Sequence, residues 1–118
     1  LKQVSQEAAD KNNHSRLHYI LHFIQQNLTD KIAVDALSRK AYMSRNEFYR
    51  WCREQFGVSP LEYINRERIK LAKQLMADQK NSITQVSHQC GFADVNYFVR
   101  LFKKAEGITP GSYRACIQ

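Results

Sequence analysis

The sequence contains few of the residues that interrupt helices or that crosslink small secreted domains. Its 118 residues include 4 glycines, 2 prolines and 3 cysteines. The cysteines, Cys52, Cys90 and Cys116, are odd in number, widely spaced and without a C-x-x-C pair. We therefore expect neither a disulfide framework nor a zinc ribbon, and we interpret these thiols as reduced packing residues rather than nucleophiles.

Long apolar runs are also absent. No stretch reaches the roughly 18 uninterrupted apolar residues of a membrane span, and the opening residues LKQVSQEAADKN lack the apolar core of a signal peptide. The expectation is a soluble, cytoplasmic protein with no membrane partner. The chain begins with Leu1 rather than Met, which favours a fragment of a longer protein.

Motifs of common enzymes are missing as well. The sequence has no G-x-S-x-G, no H-E-x-x-H and no glycine-rich phosphate loop. His14, His18 and His22 are spaced four apart on one predicted helix, but no carboxylate or thiol completes a ligand set. We therefore predict no enzyme activity, no cofactor and no metal, and interpret the histidines as solvated.

Basic charge is in surplus. Lys and Arg number 18 against 11 Asp and Glu, which gives a formal net charge of +7. This surplus favours an anionic partner, either nucleic acid or an acidic membrane surface, and by itself does not choose between them.

The chain contains an internal duplication. Gly57 and Pro60 recur 50 residues later as Gly107 and Pro110. The same offset superposes Phe48 on Phe98, Arg50 on Arg100, Arg53 on Lys103 and Tyr63 on Tyr113. Upstream of residue 44 the offset is 49, so the second copy carries one extra residue in a turn.

Apolar spacings of three and four residues predict helices throughout. Helix-capping signals set the boundaries, among them capping boxes at Ser44 with Glu47 and at Ser82 with Gln85. The seven predicted helices are 14–28, 33–41, 44–56, 59–77, 82–90, 94–106 and a short one after Thr109. Each copy is a short helix, a turn and a longer helix, which is the helix-turn-helix pattern.

The predicted fold is therefore all-α, with two helix-turn-helix subdomains and a long helix between them. We assign 1–13 to a linker or tail, 14–58 to the first subdomain, 59–78 to the linker helix and 79–115 to the second subdomain. On the linker helix Ile64, Leu71, Ala72, Leu75 and Met76 are predicted to face inward. Its cations, Arg66, Arg68, Lys70 and Lys73, are predicted to face solvent or phosphate.

The longer helix of each copy has matching faces. With Phe48 inward, Trp51, Cys52, Gln55 and Phe56 share its side, while Asn46, Tyr49, Arg50 and Arg53 lie opposite. With Phe98 inward, Leu101, Phe102 and Ala105 share its side, while Asn96, Val99, Arg100 and Lys103 lie opposite.

A helix in a DNA major groove needs such an outward row. Arg bridges guanine O6 and N7, Asn bridges adenine N6 and N7, and further cations hold phosphates. For one helix alone, an ordinary amphipathic surface is the better explanation. Because the row recurs in two copies, we hypothesise that Arg50 and Arg100 read bases.

The segment ITQVSHQCGFADVNYFVRLFKKAEGITPGSYR, residues 83–114, resembles the signature of the AraC/XylS family of bacterial transcription regulators. GFAD, YFVRLFKK and GITPGSYR are its most specific parts, and the resemblance covers about residues 14–115. It implies a C-terminal DNA-binding domain that reads two adjacent major grooves. It further implies activation through RNA polymerase and an effector bound by a sensor domain missing from this chain.

Site residues follow from the same resemblance. It implies base reading by Asn46, Tyr49, Arg50, Asn96, Val99 and Arg100, and we assign phosphate contacts to Ser44, Arg45, Arg53, Lys103 and Lys104. The first copy departs from the family pattern at Ala33, Tyr42 and Cys52. Two alternatives stay open: a helical module that binds an acidic protein, and a non-specific RNA binder.

Overall fold

The structure is a computed structural model that describes the backbone of residues 2–117 and the side chains of 12–117. Within residues 2–117 the fold is all-α, with seven helices and no strand. The helices are α1 (Lys2–Gln26), α2 (Val34–Lys40), α3 (Arg45–Phe56), α4 (Pro60–Leu75), α5 (Ile83–Gln89), α6 (Val95–Glu106) and α7 (Pro110–Cys116). The predicted fold class, helix number and helix order are confirmed.

The first helix is longer than predicted. It begins at Lys2 instead of residue 14, so most of the segment predicted as a linker or tail is helical. Residue 1 of that segment lies outside the described residues. Residues 2–11 are rich in Gln, Glu, Ala and Lys, which favour a helix, but they carry no apolar stripe. Apolar periodicity alone therefore missed this part of the helix.

The chain forms two compact units. The first comprises α1 through Asn27 together with Ile32–Pro60, and the second comprises Leu28–Lys31 and the chain from Leu61 onward. Helix α4, predicted as a linker, is a packing element of the second unit. Its Ile69, Ala72 and Met76 are buried in the core of that unit.

The duplicated motifs share the geometry of their turns. In the first, Met43 N–H donates to Ser38 O at 3.0 Å, and in the second Phe92 N–H donates to Ser87 O at 3.0 Å. Both serine hydroxyls are buried against the preceding turn of helix, where Ser38 donates to Asp35 O and Ser87 donates to Thr84 O. The 49-residue offset read from the sequence thus describes two equivalent turns.

One residue in each turn has positive φ. Gly91 has a φ of 99°, and Tyr42, its counterpart, has a φ of 57°. A Cβ on Gly91 would lie 2.8 Å from Leu28 O, so both conformation and space require glycine there. Tyr42 adopts the left-handed region with its side chain 92% exposed, which strains the first turn by about 1 to 2 kcal/mol.

Capping differs between the copies. The Ser82 and Gln85 capping box is complete. At α3, Ser44 accepts from Glu47 N–H at 3.2 Å, but within the described residues the Glu47 carboxylate does not return the bond, so that capping box is only half formed. Ala33 precedes α2 without a side-chain cap.

Buried aromatic and apolar side chains fill each unit. In the first, Phe48 and Cys52 are fully buried, and Trp51 donates from its indole nitrogen to Asn13 Oδ1 at 2.6 Å. In the second, Phe98 and Phe102 are fully buried. Burial raises the pKa of the Cys52 and Cys90 thiols to about 12, which agrees with their predicted packing role.

The prediction that Ala105 faces inward is wrong, because this residue is exposed.

We predict opposite stability changes for glycine exchanges in the two turns. Gly91→Ala should lower the free energy of unfolding by about 2 kcal/mol or more, because the Cβ meets Leu28 O and φ is positive. Tyr42→Gly should raise it by up to about 1 kcal/mol by relieving the left-handed strain. Urea unfolding monitored by circular dichroism measures both, and a loss of stability in Tyr42→Gly would contradict the strain argument.

Candidate nucleic-acid interface

The outer face of α3 is polar and accessible. Asn46, Arg50 and Arg53 are exposed and Tyr49 is half-buried, while Phe48 and Cys52 occupy the opposite, buried face. These four outward residues line one open depression together with Glu54. Glu54 is not among the site residues predicted from the sequence, although its position four residues after Arg50 places it on the same helix face.

The outer face of α6 repeats this arrangement. Asn96, Arg100 and Lys103 are exposed, and Val99 is half-buried against the core of the second unit. Phe98 and Phe102 anchor the opposite face. In both copies the predicted outward Asn, Arg and second cation are therefore accessible, whereas Tyr49 and Val99 are half-buried.

Ser44 and Arg45 lie at the start of α3. The Ser44 hydroxyl oxygen accepts the Glu47 N–H, so its own hydrogen stays able to donate to a phosphate. Arg45 Nε lies 3.7 Å from Asp35 Oδ1, and its guanidinium lies 5.6 Å from the Tyr49 ring centre. A hydrogen bond with Tyr49 and the Asp35 charge raise the pKa of Arg45. Because both charges are largely exposed, this ion pair is weak and a phosphate could replace it.

Lys103 and Lys104 are both exposed, but they face different surroundings. Lys103 shares the outward row of Arg100, whereas Lys104 lines a groove between α4 and α6 with Asn65 and Leu101. The residue equivalent to Lys104 in the first copy is Glu54. The second copy thus carries two adjacent cations where the first has one cation and one carboxylate.

The prediction that Arg68 faces solvent or phosphate is wrong. It is 8% exposed, and its Nε and Nη2 donate to Leu28 O at 2.9 Å and to Asp30 O at 2.7 Å. The guanidinium also lies 5.8 Å from the Phe92 ring centre. Burial lowers the pKa of Arg68, and the two backbone carbonyls compensate for the water it loses. Arg68 therefore holds the 28–31 segment on α4 and is not a phosphate contact.

The other cations of α4 have acidic partners. Lys73 Nζ lies 2.6 Å from Glu106 Oε1, Lys70 Nζ lies 2.9 Å from Glu67 Oε2, and Arg66 Nη2 lies 3.8 Å from Glu62 Oε2. Hydrogen bonds to these carboxylates raise the pKa of Lys73 and Lys70.

The sequence of α4 did contain a signal that Arg68 is buried. Arg68 lies four residues from both Ile64 and Ala72, which belong to the buried stripe of the helix.

Histidines 14, 18 and 22 are exposed on α1. In the part of the chain whose side chains are described, no group of three or more His, Cys, Asp or Glu is arranged to hold a metal ion. Over the same residues, no helix is long and apolar enough to cross a bilayer.

Helices α3 and α6 each follow a tight turn, bury one face and display Asn, Arg and a second cation on the other. This arrangement defines a tandem helix-turn-helix DNA-binding domain. A family model described as a helix-turn-helix domain matches residues 37–115. The chain belongs to this family and is of the AraC type, as its signature residues indicated.

Two curated relatives are regulators. The chain is 34% identical over 111 residues to the probable transcriptional regulator LumQ of Photobacterium leiognathi, which covers 92% of this chain and 45% of that protein. It is 30% identical over 114 residues to the HTH-type transcriptional activator RhaS of Escherichia coli, covering 97% and 41%. The chain therefore spans less than half the length of these relatives.

Solved structures show the same fold. The DNA-binding domain of AdpA, a global transcriptional factor crystallised with a target DNA, superposes with a TM-score of 0.79 at 29% identity and covers 85% of this chain and 90% of that one. The C-terminal domain of the response regulator yesN from Fusobacterium nucleatum superposes with a TM-score of 0.76 at 32% identity, covering 82% and 95%.

Replacement of Arg68 should destabilise the second unit. Arg68→Met removes two charged hydrogen bonds and leaves Leu28 O and Asp30 O without their donor, so we expect a loss of about 2 to 4 kcal/mol in the free energy of unfolding. The matched control is Arg66→Met, an exposed cation on the same helix, which should change stability by less than about 0.5 kcal/mol. Equal effects of the two variants in urea unfolding would exclude this role for Arg68.

Proposed function

We propose that this domain binds double-stranded DNA sequence-specifically and regulates transcription by inserting α3 and α6 into two adjacent major grooves. The observation that supports it is the repetition of one exposed row, Asn, Arg and a second cation, on the same helix of both motifs. Binding of target DNA by the AdpA domain, which shares this fold, supports it independently. The chain acts in this proposal by binding alone, as a cytoplasmic protein without catalysis.

Each outward residue type has a chemical role in the proposal. Arg50 and Arg100 donate two hydrogen bonds to guanine O6 and N7, and Asn46 and Asn96 pair with the adenine edge. Tyr49 and Val99 are half-buried and offer apolar contact to a thymine methyl group. The base-reading set is therefore Asn46, Tyr49, Arg50, Asn96, Val99 and Arg100.

Phosphate contacts hold the helices in place. Ser44, Arg45 and Arg53 accompany α3, and Lys103 and Lys104 accompany α6; all five are exposed. Neutralised phosphates release counterions, so binding should weaken with rising salt concentration. Because Glu54 repels phosphate where the second copy has Lys104, α6 should contribute more to this salt-dependent attraction.

The proposal extends to the longer protein of which this domain is a part. RhaS is a transcriptional activator, and the present chain covers 41% of it. We infer that this domain also serves activation, with contact to RNA polymerase, and that a further domain of the parent binds an effector. Because the two motifs are in tandem rather than related by a dimer axis, the DNA site should be asymmetric.

Selection from a random duplex library at about 150 mM salt tests the proposal. We expect enrichment of an asymmetric site with two base clusters about one helical turn apart, because each motif reads one groove. Binding without enrichment that disappears as salt rises would reject sequence-specific reading and favour a basic surface for RNA or an acidic protein.

Substitution of each outward arginine tests which cluster of bases each helix reads. Arg100→Ala should lose about 1 to 3 kcal/mol of binding free energy and relax preference at one base position, and Arg50→Ala should act about one turn away. Lys103→Ala is the matched control, since loss of a phosphate contact weakens all sequences equally and reduces the salt slope by about 1. Fluorescence anisotropy on the selected site and its single-base variants measures these effects. A uniform loss in Arg100→Ala would assign that residue to phosphate.

A further inference from the structure

The ring of Tyr97 packs against Arg100 on α6. We call this ring contact, together with the hydrogen bond from Asn65 that holds the ring, the brace. The Arg100 guanidinium lies 5.9 Å from the ring centre of Tyr97, which precedes it by about one helical turn. Tyr97 is 37% exposed, so part of the residue is accessible and the rest is packed. A cation over the face of a ring is attracted to the negative charge of that face.

The ring itself is held by a second helix. Asn65 on α4 donates from Nδ2 to the Tyr97 hydroxyl oxygen at 3.3 Å, and Asn65 is only 8% exposed. Phe92, in the turn before α6, packs edge-on against the ring with centroids 6.2 Å apart. Contacts from α4 and from the turn therefore fix both the position and the tilt of Tyr97.

The first copy has no equivalent of this brace. The residue 50 positions before Tyr97 is Glu47, whose backbone N–H is capped by Ser44. The ring next to Arg50, that of Tyr49, lies against Arg45 instead. Among the described side chains, no ring contact is formed by Arg50, so the brace distinguishes the second motif from the first.

We propose that Asn65 and Tyr97 are positioning residues that hold Arg100 in the orientation needed to contact its base. The inference rests on the proposed function, because it concerns how α6 reads DNA. An exposed arginine loses rotamer freedom when it binds, and a brace that limits this freedom beforehand reduces that cost. Asn65 lies on the buried side of α4 and acts only through the Tyr97 hydroxyl.

Tyr97→Phe tests the brace because it keeps the ring and removes the hydroxyl that Asn65 holds. We expect discrimination at the base position assigned to Arg100 to fall about 2- to 12-fold, the range that corresponds to ordering one long side chain. Discrimination at the other positions should be unchanged. The measurement compares binding to the selected site with binding to duplexes that differ at one base pair, by fluorescence anisotropy.

The matched control is Tyr113→Phe in the same unit. Tyr113 packs on Phe102 with ring centroids 5.5 Å apart and contacts Lys73 rather than Arg100. Loss of its hydroxyl should leave discrimination at the Arg100 position intact. Asn65→Ala should reproduce the Tyr97→Phe effect, and the double variant should show no further loss. Since Asn65 is buried, urea unfolding checks that its variant is folded, and Tyr97→Phe carries the test if it is not.

An Arg100→Ala background separates the possible outcomes. If Tyr97 acts through Arg100, Tyr97→Phe has no additional effect on binding in that background. A persistent loss would show that Tyr97 touches DNA itself and would overturn the positioning role, as would an equal loss at every base position. If Arg100→Ala alone leaves base preference unchanged, the proposed base reading by Arg100 fails, a result distinct from failure of the brace.

Discussion

Burial of one apolar face on α3 and on α6 is the constraint from which the rest of the site follows. Phe48 and Cys52 on α3, and Phe98 and Phe102 on α6, are fully buried. A helix pinned on that side can present only the residues about half a turn away to a ligand. The outward rows are therefore fixed by packing on the inside, and a chemical change on the outside leaves the fold intact.

The two motifs differ in how firmly their turns, helix caps and outward side chains are held. The second has glycine in its turn, a complete capping box before α5 and a ring that braces its outward arginine. The first has the strained Tyr42 in its turn, an uncapped α2 and a carboxylate, Glu54, at the edge of its polar face. A fixed side chain discriminates between bases better than a mobile one. On the proposed mode of DNA binding, α6 should therefore read its bases more sharply than α3.

Helix α4 supports the second motif from within. Its buried Arg68 satisfies two carbonyls of the segment after α1, and its buried Asn65 reaches the Tyr97 hydroxyl. Buried polar groups tolerate few arrangements, because each must find a partner in place of water. A helix that joins two motifs in sequence thus also fixes the geometry of one of them.

The number and order of the helices, the duplication and the outward rows could be predicted from the sequence, because apolar periodicity, caps and turn residues are local signals. The start of α1 could not, because it carries no apolar stripe. The carbonyl partners of Arg68, the packing of α4 within the second unit and the hydrogen bond from Asn65 to Tyr97 follow only from the tertiary structure. The residues in these contacts are 40 and 32 positions apart, so no local pattern records them. Arg68 has the same charge as Arg66 but lies on the buried stripe of α4. The two carbonyls that compensate for its burial belong to Leu28 and Asp30, which are distant in the sequence.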